Sequence, residues 1–333
     1  MKNPNKGQGV RLAGTGMAIP NRVVTNDDLT QSIDTSDEWI QKRTGIKSRH
    51  LVDDQTTVHD LAVASIKQAV QRSDIDPGEV DLLLLATLCP DMCCPATATR
   101  VVADIGAAPA GAMDISAACS GFVYGLNMAA SLIQSGHYRH VGVVGAETLS
   151  RIVNWKDRRT CVLFGDGAGA VVLSASEDLQ QGCLYQSMAS DGTAWHLLYC
   201  PQSERNLPED RDGFTGVYNT LHMNGREVYK FAVSTFQRSI TDALSATGLS
   251  VDDLAMIIPH QSNQRILESV RQKLDIPTEK MYSNIERYGN TSAASVPICL
   301  NELMEAGRLH PGDLVLMVGL GGGLTWASSL WRL

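Results

Sequence analysis

Two pairs of similar segments recur in this chain at one fixed spacing. The segments SDIDPGEVDLLLLAT and TGLSVDDLAMIIPHQ both join a short acidic loop to an apolar run typical of a strand, and Val80 in the first lies 174 residues before Leu254 in the second. The same 174 residues separate Val141, which opens VGVVGAE, from Val315, which opens VLMVGLGGG. Two pairs at one spacing indicate an internal duplication, which predicts a chain folded as two similar halves.

Each half alternates helical and strand patterns. In the first half, TVHDLAVASIKQAVQRS over residues 57–73 places its apolar residues at helical spacing and is followed by the apolar run DLLLLAT. In the second half, the amphipathic stretch GREVYKFAVSTFQRSITDALSATG precedes LAMIIPH. Continuous apolar strands flanked by helices predict sheets that are covered on both faces. We therefore expect an α/β fold in two halves, residues 1–176 and 177–333, joined near EDLQQGC.

Charge and hydropathy exclude several classes of function. The chain has 333 residues and a net charge of −8, which disfavours nonspecific binding to nucleic acid. No run approaches the ~20 apolar residues of a membrane span, and the N-terminal segment lacks the apolar core of a signal peptide. We therefore expect a cytoplasmic protein without membrane insertion, in which the eight cysteines are reduced thiols.

Two further motifs give weak signals. Cys89, Cys93 and Cys94 lie together in LCPDMCCPA but lack the CxxC spacing and second ligand pair of a zinc site, so no metal is predicted there. The segment GDGAGA lacks the GxGxxG spacing of a dinucleotide site, and the strand-like VVLSAS follows it instead of a helix. Residues 165–167 are better interpreted as a tight structural turn.

The segment MDISAACSGFVYGL raises the question of what its cysteine does. GAMDIS is predicted to be a short buried strand and CSGFVYGLNMAASLIQSG the helix after it, which puts Cys119 at or near a helix N-terminus. There the helix dipole and free N–H groups stabilise a thiolate, so the thiol pKa is expected to fall below ~8.5. A buried structural cysteine is the alternative, and position alone does not decide between the two.

Two polar residues of the second half are further candidates for the site. His260 comes directly after a buried strand in IIPHQSN, where burial is expected to depress its pKa and keep the imidazole neutral. A neutral imidazole can donate a hydrogen bond to a carbonyl or accept a proton. Asn290 lies in ERYGNTSAAS, which is also consistent with a simple turn that caps the next helix. Because 119 + 174 = 293, the duplication relates this segment to Cys119 and suggests one shared cavity.

These motifs together resemble a known family. AACSGF around Cys119, PHQSN around His260 and YGNTSAAS around Asn290, with GDGAGAVVL and the terminal GGGLTW, are similar to β-ketoacyl-acyl-carrier-protein synthase III of the thiolase superfamily. The resemblance runs from GTGMAIPNRVVTN to the C-terminus and so covers nearly the whole chain. It implies a thiolase-like, duplicated five-layer α-β-α-β-α architecture and a homodimer.

The resemblance implies a decarboxylative Claisen condensation that starts fatty acid synthesis. Cys119 would be the nucleophile that takes the acyl group from acyl-CoA, and the backbone N–H groups of Cys119 and Gly322 would form the oxyanion hole. The glycines of GLGGGLTW are equally consistent with a tight turn between strands. His260 and Asn290 would bind the thioester carbonyl of malonyl-acyl-carrier protein. Since decarboxylation generates the nucleophile, no carboxylate base, metal or cofactor is implied, and acyl-CoA is a substrate.

The resemblance also assigns binding residues. The expected coenzyme A contacts are Thr35, Trp39, Arg43, Arg158 and Asn263. Trp39 would stack on one face of the adenine and Arg158 would close on the other, although Trp39 could also be an ordinary tryptophan of an amphipathic helix. Lys230 and Arg265 match positions that resemble a basic patch for the acidic carrier protein.

One position departs from the family pattern. Many members have a bulky aromatic residue where this chain has Cys94, in the loop that reaches the acyl pocket of the second subunit. The smaller side chain makes a branched, medium-chain or aromatic starter plausible in place of acetyl. A condensing enzyme of the same type in secondary metabolism, such as quinolone or polyketide assembly, is therefore an alternative.

Two other classes of function stay open. A nondecarboxylating relative resembling hydroxymethylglutaryl-CoA synthase would need a carboxylate base, and no acidic residue lies in a matching motif, although Glu147 in GAETLS has no assigned role. A noncatalytic scaffold or chain-length partner is the other alternative. The presence of Cys119, His260 and Asn290 together argues against it.

Overall fold

The structure is a computed structural model that describes residues 8–211 and 214–333. The strands are β1 Gly9–Ala18, β2 Arg22–Thr25, β3 Ser48–Leu51, β4 Leu82–Ala86, β5 Gly111–Ile115, β6 His140–Glu147, β7 Gly167–Ser176, β8 Gly182–Ser190, β9 Leu198–Tyr199, β10 His222–Met223, β11 Met256–Pro259, β12 Leu314–Gly321 and β13 Thr325–Arg332. The helices are α1 Asn26–Thr30, α2 Asp37–Thr44, α3 Val58–Ser73, α4 Thr97–Asp104, α5 Gly121–Gln134, α6 Gly225–Thr247, α7 Gln264–Lys273, α8 Ile285–Tyr288 and α9 Ser295–Glu305.

Two mixed sheets form the framework. The first has the strand order β1-β7-β6-β4-β5, in which β4 pairs in parallel with β5 and β6 and the other pairs are antiparallel. The second has the order β11-β12-β13-β8, in which only β11 and β12 are parallel. The strands of the first sheet lie within residues 9–176 and those of the second within 182–332. The division into residues 1–176 and 177–333 stays a prediction, which this distribution of strands supports.

Helices separate and cover the two sheets. α3 and α4 pack on the outer face of the first sheet, and α6 and α7 pack on the outer face of the second. α5 and α9 lie between the sheets and contact both, in a core built largely from Val, Leu, Ile and Ala. The predicted five-layer α-β-α-β-α order and thiolase-like fold class are confirmed.

The spacing of 174 residues holds element by element. β4 and β11 begin at residues 82 and 256, β6 and β12 at 140 and 314, and α5 and α9 at 121 and 295, and each difference is 174. The short 3-10 helices Ala118–Ser120 and Ser292–Ala294, which precede α5 and α9, follow the same rule. The first residue of each 3-10 helix has a positive φ, 48° at Ala118 and 50° at Ser292, which is uncommon for residues other than glycine. The duplication inferred from the sequence is therefore also present in the order and spacing of the helices and strands.

Local signals account for the predicted helices and strands. α3 begins after Thr57, whose hydroxyl accepts from the Asp60 N–H while the Asp60 carboxylate accepts from the Thr57 N–H, a capping box that fixes the start of the helix. All five residues of β4 are buried, as expected of a strand covered on both faces.

Across the described ranges, no helix combines the length and apolar character needed to cross a membrane.

The strand that leads to Cys119 differs from its prediction. β5 is not buried: its residues are half or fully exposed, and Met113 is 43% exposed. The reason is its place at the edge of the first sheet, where it has a strand neighbour on one side only. An apolar run predicts a strand but not whether that strand lies inside the sheet or at its edge.

Residues 165–167 also differ from the prediction, because no turn is formed there and Gly167 is already part of a strand. Phe164 bridges to Asn290, and β7 begins at Gly167. Gly165 is needed for close packing, since a Cβ there would lie 2.2 Å from the carbonyl oxygen of Tyr288. The glycines of this motif let two backbone segments approach each other.

Candidate active site

Cys119 lies in the 3-10 turn that connects β5 to α5. The turn spans Ala118–Ser120, so the predicted position at the N-terminal side of a helix is confirmed. The side chain is 7% exposed, and its Sγ accepts a hydrogen bond at 3.2 Å from the hydroxyl of Ser292. Ser292 begins the duplicated turn Ser292–Ala294, so the two halves of the fold meet at the sulfur.

His260 directly follows β11, which pairs with β12. Its backbone N–H donates to the Val318 carbonyl at 2.7 Å, and its ring Nδ1 lies 2.7 Å from the hydroxyl of Ser295. That hydroxyl also accepts from the Gln261 N–H at 3.3 Å, and its own proton is available for donation to Nδ1. Burial lowers the pKa of His260 to about 3, which confirms a neutral ring. When Ser295 donates to Nδ1, the single proton of the neutral ring is on Nε2, which is then a donor.

Asn290 is fixed on both sides by backbone hydrogen bonds. Its N–H donates to the Leu163 carbonyl at 2.8 Å, and its own carbonyl accepts from the Gly165 N–H at 3.0 Å. The side-chain Oδ1 accepts from the Ser292 N–H at 2.9 Å. Because Oδ1 is occupied by a donor, the amide orientation is set and Nδ2 is presented as a donor.

Cys119 lies at the boundary of two cavities. A cavity of about 480 Å³ has Cys119, Ser292 and Gly322 in its wall, and its other lining residues are largely apolar. A smaller cavity of about 110 Å³ contains Cys119, His260 and Asn290. Cys119 is common to both walls. Because Asn290 lies with it in the wall of the smaller cavity, the prediction that these two residues face one cavity is confirmed.

The pKa of the Cys119 thiol differs from the prediction made from its helix position. Burial raises the pKa of this thiol to about 12, against the lowering effect of the Ser292 hydroxyl. A rise from 9.0 to about 12 corresponds to about 4 kcal/mol, whereas a helix N-terminus stabilises a charge by at most about 2 kcal/mol. Burial therefore outweighs the helix, and the resting cysteine is a protonated thiol.

The glycine turn between β12 and β13 lies against the cysteine. β12 ends at Gly321 and β13 begins at Thr325, so the predicted turn between strands is confirmed. A Cβ at Gly321 would lie 2.6 Å from the backbone nitrogen of Cys119, which only glycine avoids. Gly322 follows in the wall of the larger cavity. Its role with the Cys119 N–H as an oxyanion hole stays a prediction.

The residues predicted to hold coenzyme A form one cluster around Trp39. The guanidinium carbons of Arg43 and Arg158 lie 5.6 Å and 5.3 Å from the centre of the Trp39 ring. Arg158 also donates to the Asp34 carbonyl at 2.8 Å. Thr35, the next residue, has a buried hydroxyl oxygen without a hydrogen-bond partner in the described ranges.

Asn263 connects this cluster to the smaller cavity. Its Nδ2 donates to the Arg43 carbonyl at 3.1 Å, and Asn263 lines the cavity that also contains His260. A flat base between Trp39 and Arg158 needs about 7 Å, because each stacking contact takes about 3.5 Å. Arg158 must therefore move outwards from its 5.3 Å position by roughly 2 Å to complete the predicted sandwich.

The predicted carrier-protein residues lie on the two helices that border the smaller cavity. Lys230 on α6 is exposed and pairs with Glu227 at 2.7 Å. Arg265, at the start of α7, places its guanidinium 5.7 Å from the ring centre of Tyr229. Tyr229 and Ile266 line the cavity with His260, so each basic residue is the chain neighbour of a lining residue.

Cys94 lies away from these groups. It is exposed, in the loop between β4 and α4, and it is not among the lining residues described for either cavity. All eight cysteines are free thiols.

Three buried residues of the site were given no role from sequence, although Glu147 was noted. Ser292 contacts Cys119, Ser295 contacts His260, and Glu147 at the end of β6 lies close enough to act on the pKa of Cys119. A signal for the two serines was available, because Ser292 and Ser295 fall at 118 + 174 and 121 + 174, at the duplicated turn and helix start. Their hydrogen-bond partners depend on packing between halves and could not be read from the chain.

The sequence matches one known family in both halves of the chain. The family model described as 3-Oxoacyl-[acyl-carrier-protein (ACP)] synthase III matches residues 113–192, and the model of its C-terminal part matches residues 244–333. A curated Beta-ketoacyl-[acyl-carrier-protein] synthase III from Caldanaerobacter subterraneus subsp. tengcongensis is 46% identical over 319 residues, which is 96% of each chain.

Solved structures agree in fold over the full length. The crystal structure of 3-oxoacyl-[acyl-carrier-protein] synthase III from Aquifex aeolicus VF5 has a TM-score of 0.91 and 43% identity, covering 98% of this chain and 100% of that one. The priming β-ketosynthase from the R1128 polyketide biosynthetic pathway has a TM-score of 0.91 and 33% identity, covering 100% of this chain and 98% of that one.

The two matched ranges include the reactive groups, Cys119 in the first and His260 and Asn290 in the second. Identity of this extent, spread over both halves, is that of a common family. The chain therefore belongs to the 3-oxoacyl-[acyl-carrier-protein] synthase III family, and it is a condensing acyltransferase with the thiolase fold.

Proposed function

We propose that the enzyme transfers an acyl group from acyl-CoA to Cys119 and then condenses it with malonyl-acyl-carrier protein, with loss of carbon dioxide. The observation that carries the proposal is the position of Cys119 in the walls of both cavities. An acyl chain on the sulfur can extend into the larger cavity while the second substrate reacts from the smaller one. That separation suits a two-step reaction through an acyl-enzyme.

In the first step, Cys119 attacks the thioester of acyl-CoA and the CoA thiol leaves. One thioester replaces another, so the acyl group stays reactive on the enzyme. The N–H groups of Cys119 and Gly322 stabilise the oxyanion of the tetrahedral intermediate. The contact of the glycine turn with the Cys119 backbone nitrogen supports this assignment.

In the second step, loss of carbon dioxide from the malonyl group leaves an enolate on its thioester oxygen. Nε2 of His260 and Nδ2 of Asn290 are neutral donors in the smaller cavity, and they stabilise that charge as it develops. Nδ1 of His260 and Oδ1 of Asn290 are held by Ser295 and by the Ser292 N–H, which supports this orientation. The enolate carbon then attacks the acyl thioester on Cys119.

Coenzyme A binds with its adenine at Trp39 and its pantetheine directed past Asn263 to the smaller cavity. The bond from Asn263 to the Arg43 carbonyl supports this path because it joins the two regions. The carrier protein docks at Lys230 and Arg265, where positive charge complements an acidic partner. No cofactor takes part, because decarboxylation itself generates the nucleophile.

The enzyme acts as a homodimer formed at the edge of the first sheet. β5 has an unpaired edge, and Met113 and Met92 are 43% and 42% exposed. An exposed apolar residue on an open edge strand, with a second one in the loop between β4 and α4, favours pairing with a second copy. The loop that carries Cys94 precedes β5 and would then reach the acyl site of the second copy.

The starter acyl group decides between two biological roles. Acetyl would indicate initiation of fatty acid synthesis. A larger starter would indicate a condensing enzyme of secondary metabolism, which the small Cys94 favours, whereas Lys230 and Arg265 and the names of the relatives at 43–46% identity favour the first role.

The geometry disfavours a nondecarboxylating reaction with Glu147 as the base. Glu147 is fully buried and is absent from the described linings of both cavities, so it does not face the carbon of a bound thioester. A noncatalytic role is disfavoured by the intact donors of His260 and Asn290 beside the sulfur.

The proposal is tested by measuring the two steps separately. His260→Ala and Asn290→Ala are each expected to slow carbon dioxide release from malonyl-acyl-carrier protein by about 10²–10³-fold, the cost of losing one oxyanion donor. Acylation of Cys119 in these variants, followed by intact-protein mass, is expected to change little. Equal damage to both steps would contradict the assigned roles.

A further inference from the structure

Glu147 is a buried acid that the two-step reaction does not use. It ends β6, it is 0% exposed, and burial raises its pKa to about 7. Among the described residues no Lys, Arg or His forms an ion pair with it. A buried carboxyl without a cation is costly, and such groups concentrate at functional sites.

The two oxygens of this carboxyl have different surroundings. Oε2 accepts from the Leu88 N–H at 2.9 Å and from the Thr87 hydroxyl at 3.3 Å. Oε1 is buried and makes no well-formed hydrogen bond within the described ranges. The Ser292 hydroxyl and the Ala293 N–H lie close enough to the carboxyl to lower its pKa against the effect of burial. The carboxyl is thus anchored by one oxygen and has capacity for a proton on the other.

Ser292 lies between this acid and the nucleophile. Its hydroxyl is 3.2 Å from the Cys119 sulfur and also acts on the Glu147 carboxyl. A serine hydroxyl rotates and can accept one hydrogen bond while it donates another. We propose that Glu147 accepts the proton of the Cys119 thiol through the Ser292 hydroxyl when Cys119 attacks acyl-CoA. Glu147 is a positioning residue, because it touches no substrate and acts only through Ser292.

The transfer conserves atoms and charge, and it rests on the proposed role of Cys119 as nucleophile. The Cys119 S–H bond breaks as the sulfur bonds to the acyl carbon. The thiol proton moves to Ser292 Oγ, and the Ser292 proton moves to Glu147 Oε1. When the bond between the acyl carbon and the CoA sulfur breaks, the proton held by Glu147 passes through Ser292 Oγ to the CoA sulfur, and CoA leaves as a thiol.

The exchange keeps a single negative charge in the buried site. A Cys119 thiolate beside an ionised Glu147 would place two like charges out of water, and this repulsion adds to the burial that raises the thiol pKa. Moving the proton from sulfur to carboxyl avoids that state. Among the described residues, the Cys89 thiol also interacts with the Glu147 charge, and burial raises the pKa of that thiol, which Asp166 raises further.

The test is the pH dependence of acylation in Glu147→Gln, which keeps the side-chain size but cannot accept the proton. The wild-type acylation rate, measured by rapid quench and intact-protein mass, is expected to rise with pH around a midpoint near 7 as Glu147 ionises. In Glu147→Gln the rate is expected to fall by about 10²-fold and the midpoint to disappear. Carbon dioxide release by enzyme that is already acylated is expected to be unchanged.

Two further variants separate this role from a structural one. Ser292→Ala interrupts the path and is expected to lose the same midpoint, which keeps the test decisive if Glu147→Gln does not fold. Asp166→Asn removes another buried carboxyl of the same half and is expected to keep the midpoint near 7. A midpoint or rate that is unchanged in both Glu147→Gln and Ser292→Ala overturns the proposal. Absence of acylation in the wild type would overturn the proposed function instead.

Discussion

Removing the Ser295 hydroxyl is expected to impair decarboxylation while leaving acylation intact. The hydroxyl lies 2.7 Å from Nδ1 of His260 and can donate its proton there, an arrangement in which the single proton of the neutral ring is on Nε2. In Ser295→Ala the neutral ring is free to carry its proton on Nδ1. In that tautomer Nε2 presents a lone pair to the developing enolate and cannot stabilise it.

The size of the effect follows from the number of bonds lost. One hydrogen bond between neutral groups contributes about 1 kcal/mol net, and the altered tautomer adds to that loss. A total of about 1–2 kcal/mol corresponds to a fall of about 5–30-fold in the rate of carbon dioxide release. This is smaller than the loss expected for His260→Ala, because part of the Ser295→Ala population keeps the productive tautomer.

The assay separates the two half-reactions. Enzyme is first acylated and its mass checked, and carbon dioxide release from malonyl-acyl-carrier protein is then followed in a single turnover. Ser174→Ala is a matched control, because it removes a buried serine that lies 2.9 Å from Nδ1 of His140, a serine–histidine pair outside the site. Slowed acylation in Ser295→Ala, or equal effects in Ser174→Ala, would refute the reasoning.

Three other variants give independent checks. Trp39→Ala removes the ring that Arg43 and Arg158 flank, and its KM for acyl-CoA is expected to rise about tenfold with little change in kcat; an unchanged KM would contradict the adenine site. Gly145→Ala would place a Cβ 2.3 Å from the Ala293 carbonyl oxygen. It is expected to lower the free energy of unfolding by about 1–3 kcal/mol in urea denaturation, and wild-type stability would contradict the packing. Lys230→Glu is expected to raise KM for the carrier protein, more at low salt, while acylation by acyl-CoA is unchanged.

The sequence predicted most of the fold because the relevant signals are local or repeated. Helical spacing located α3 and α6, apolar runs located β4 and β11, and the 174-residue spacing predicted that Cys119 and Asn290 share a cavity. The position of β5 at a sheet edge was not predictable, because it depends on which strands pair and not on the strand's own residues.

The predictions for the site were right where burial is visible in the sequence and wrong where it is not. His260 is neutral as expected, because an apolar run next to it already indicates burial. The thiol pKa of Cys119 was wrong in direction, because a helix start is visible in sequence and the packing of both halves around the sulfur is not. The roles of Glu147 and Ser292 were missed for the same reason, since each residue meets Cys119 only across the folded core.

The central claim is that Cys119 is the acylated nucleophile, and intact-protein mass after incubation with a panel of acyl-CoAs tests it most directly. The account predicts one added acyl mass on the wild type and none on Cys119→Ala, a small change that is expected to leave the fold intact. The acyl chain that loads best identifies the starter. No adduct with any acyl-CoA, or an equal adduct on Cys119→Ala, would contradict the account.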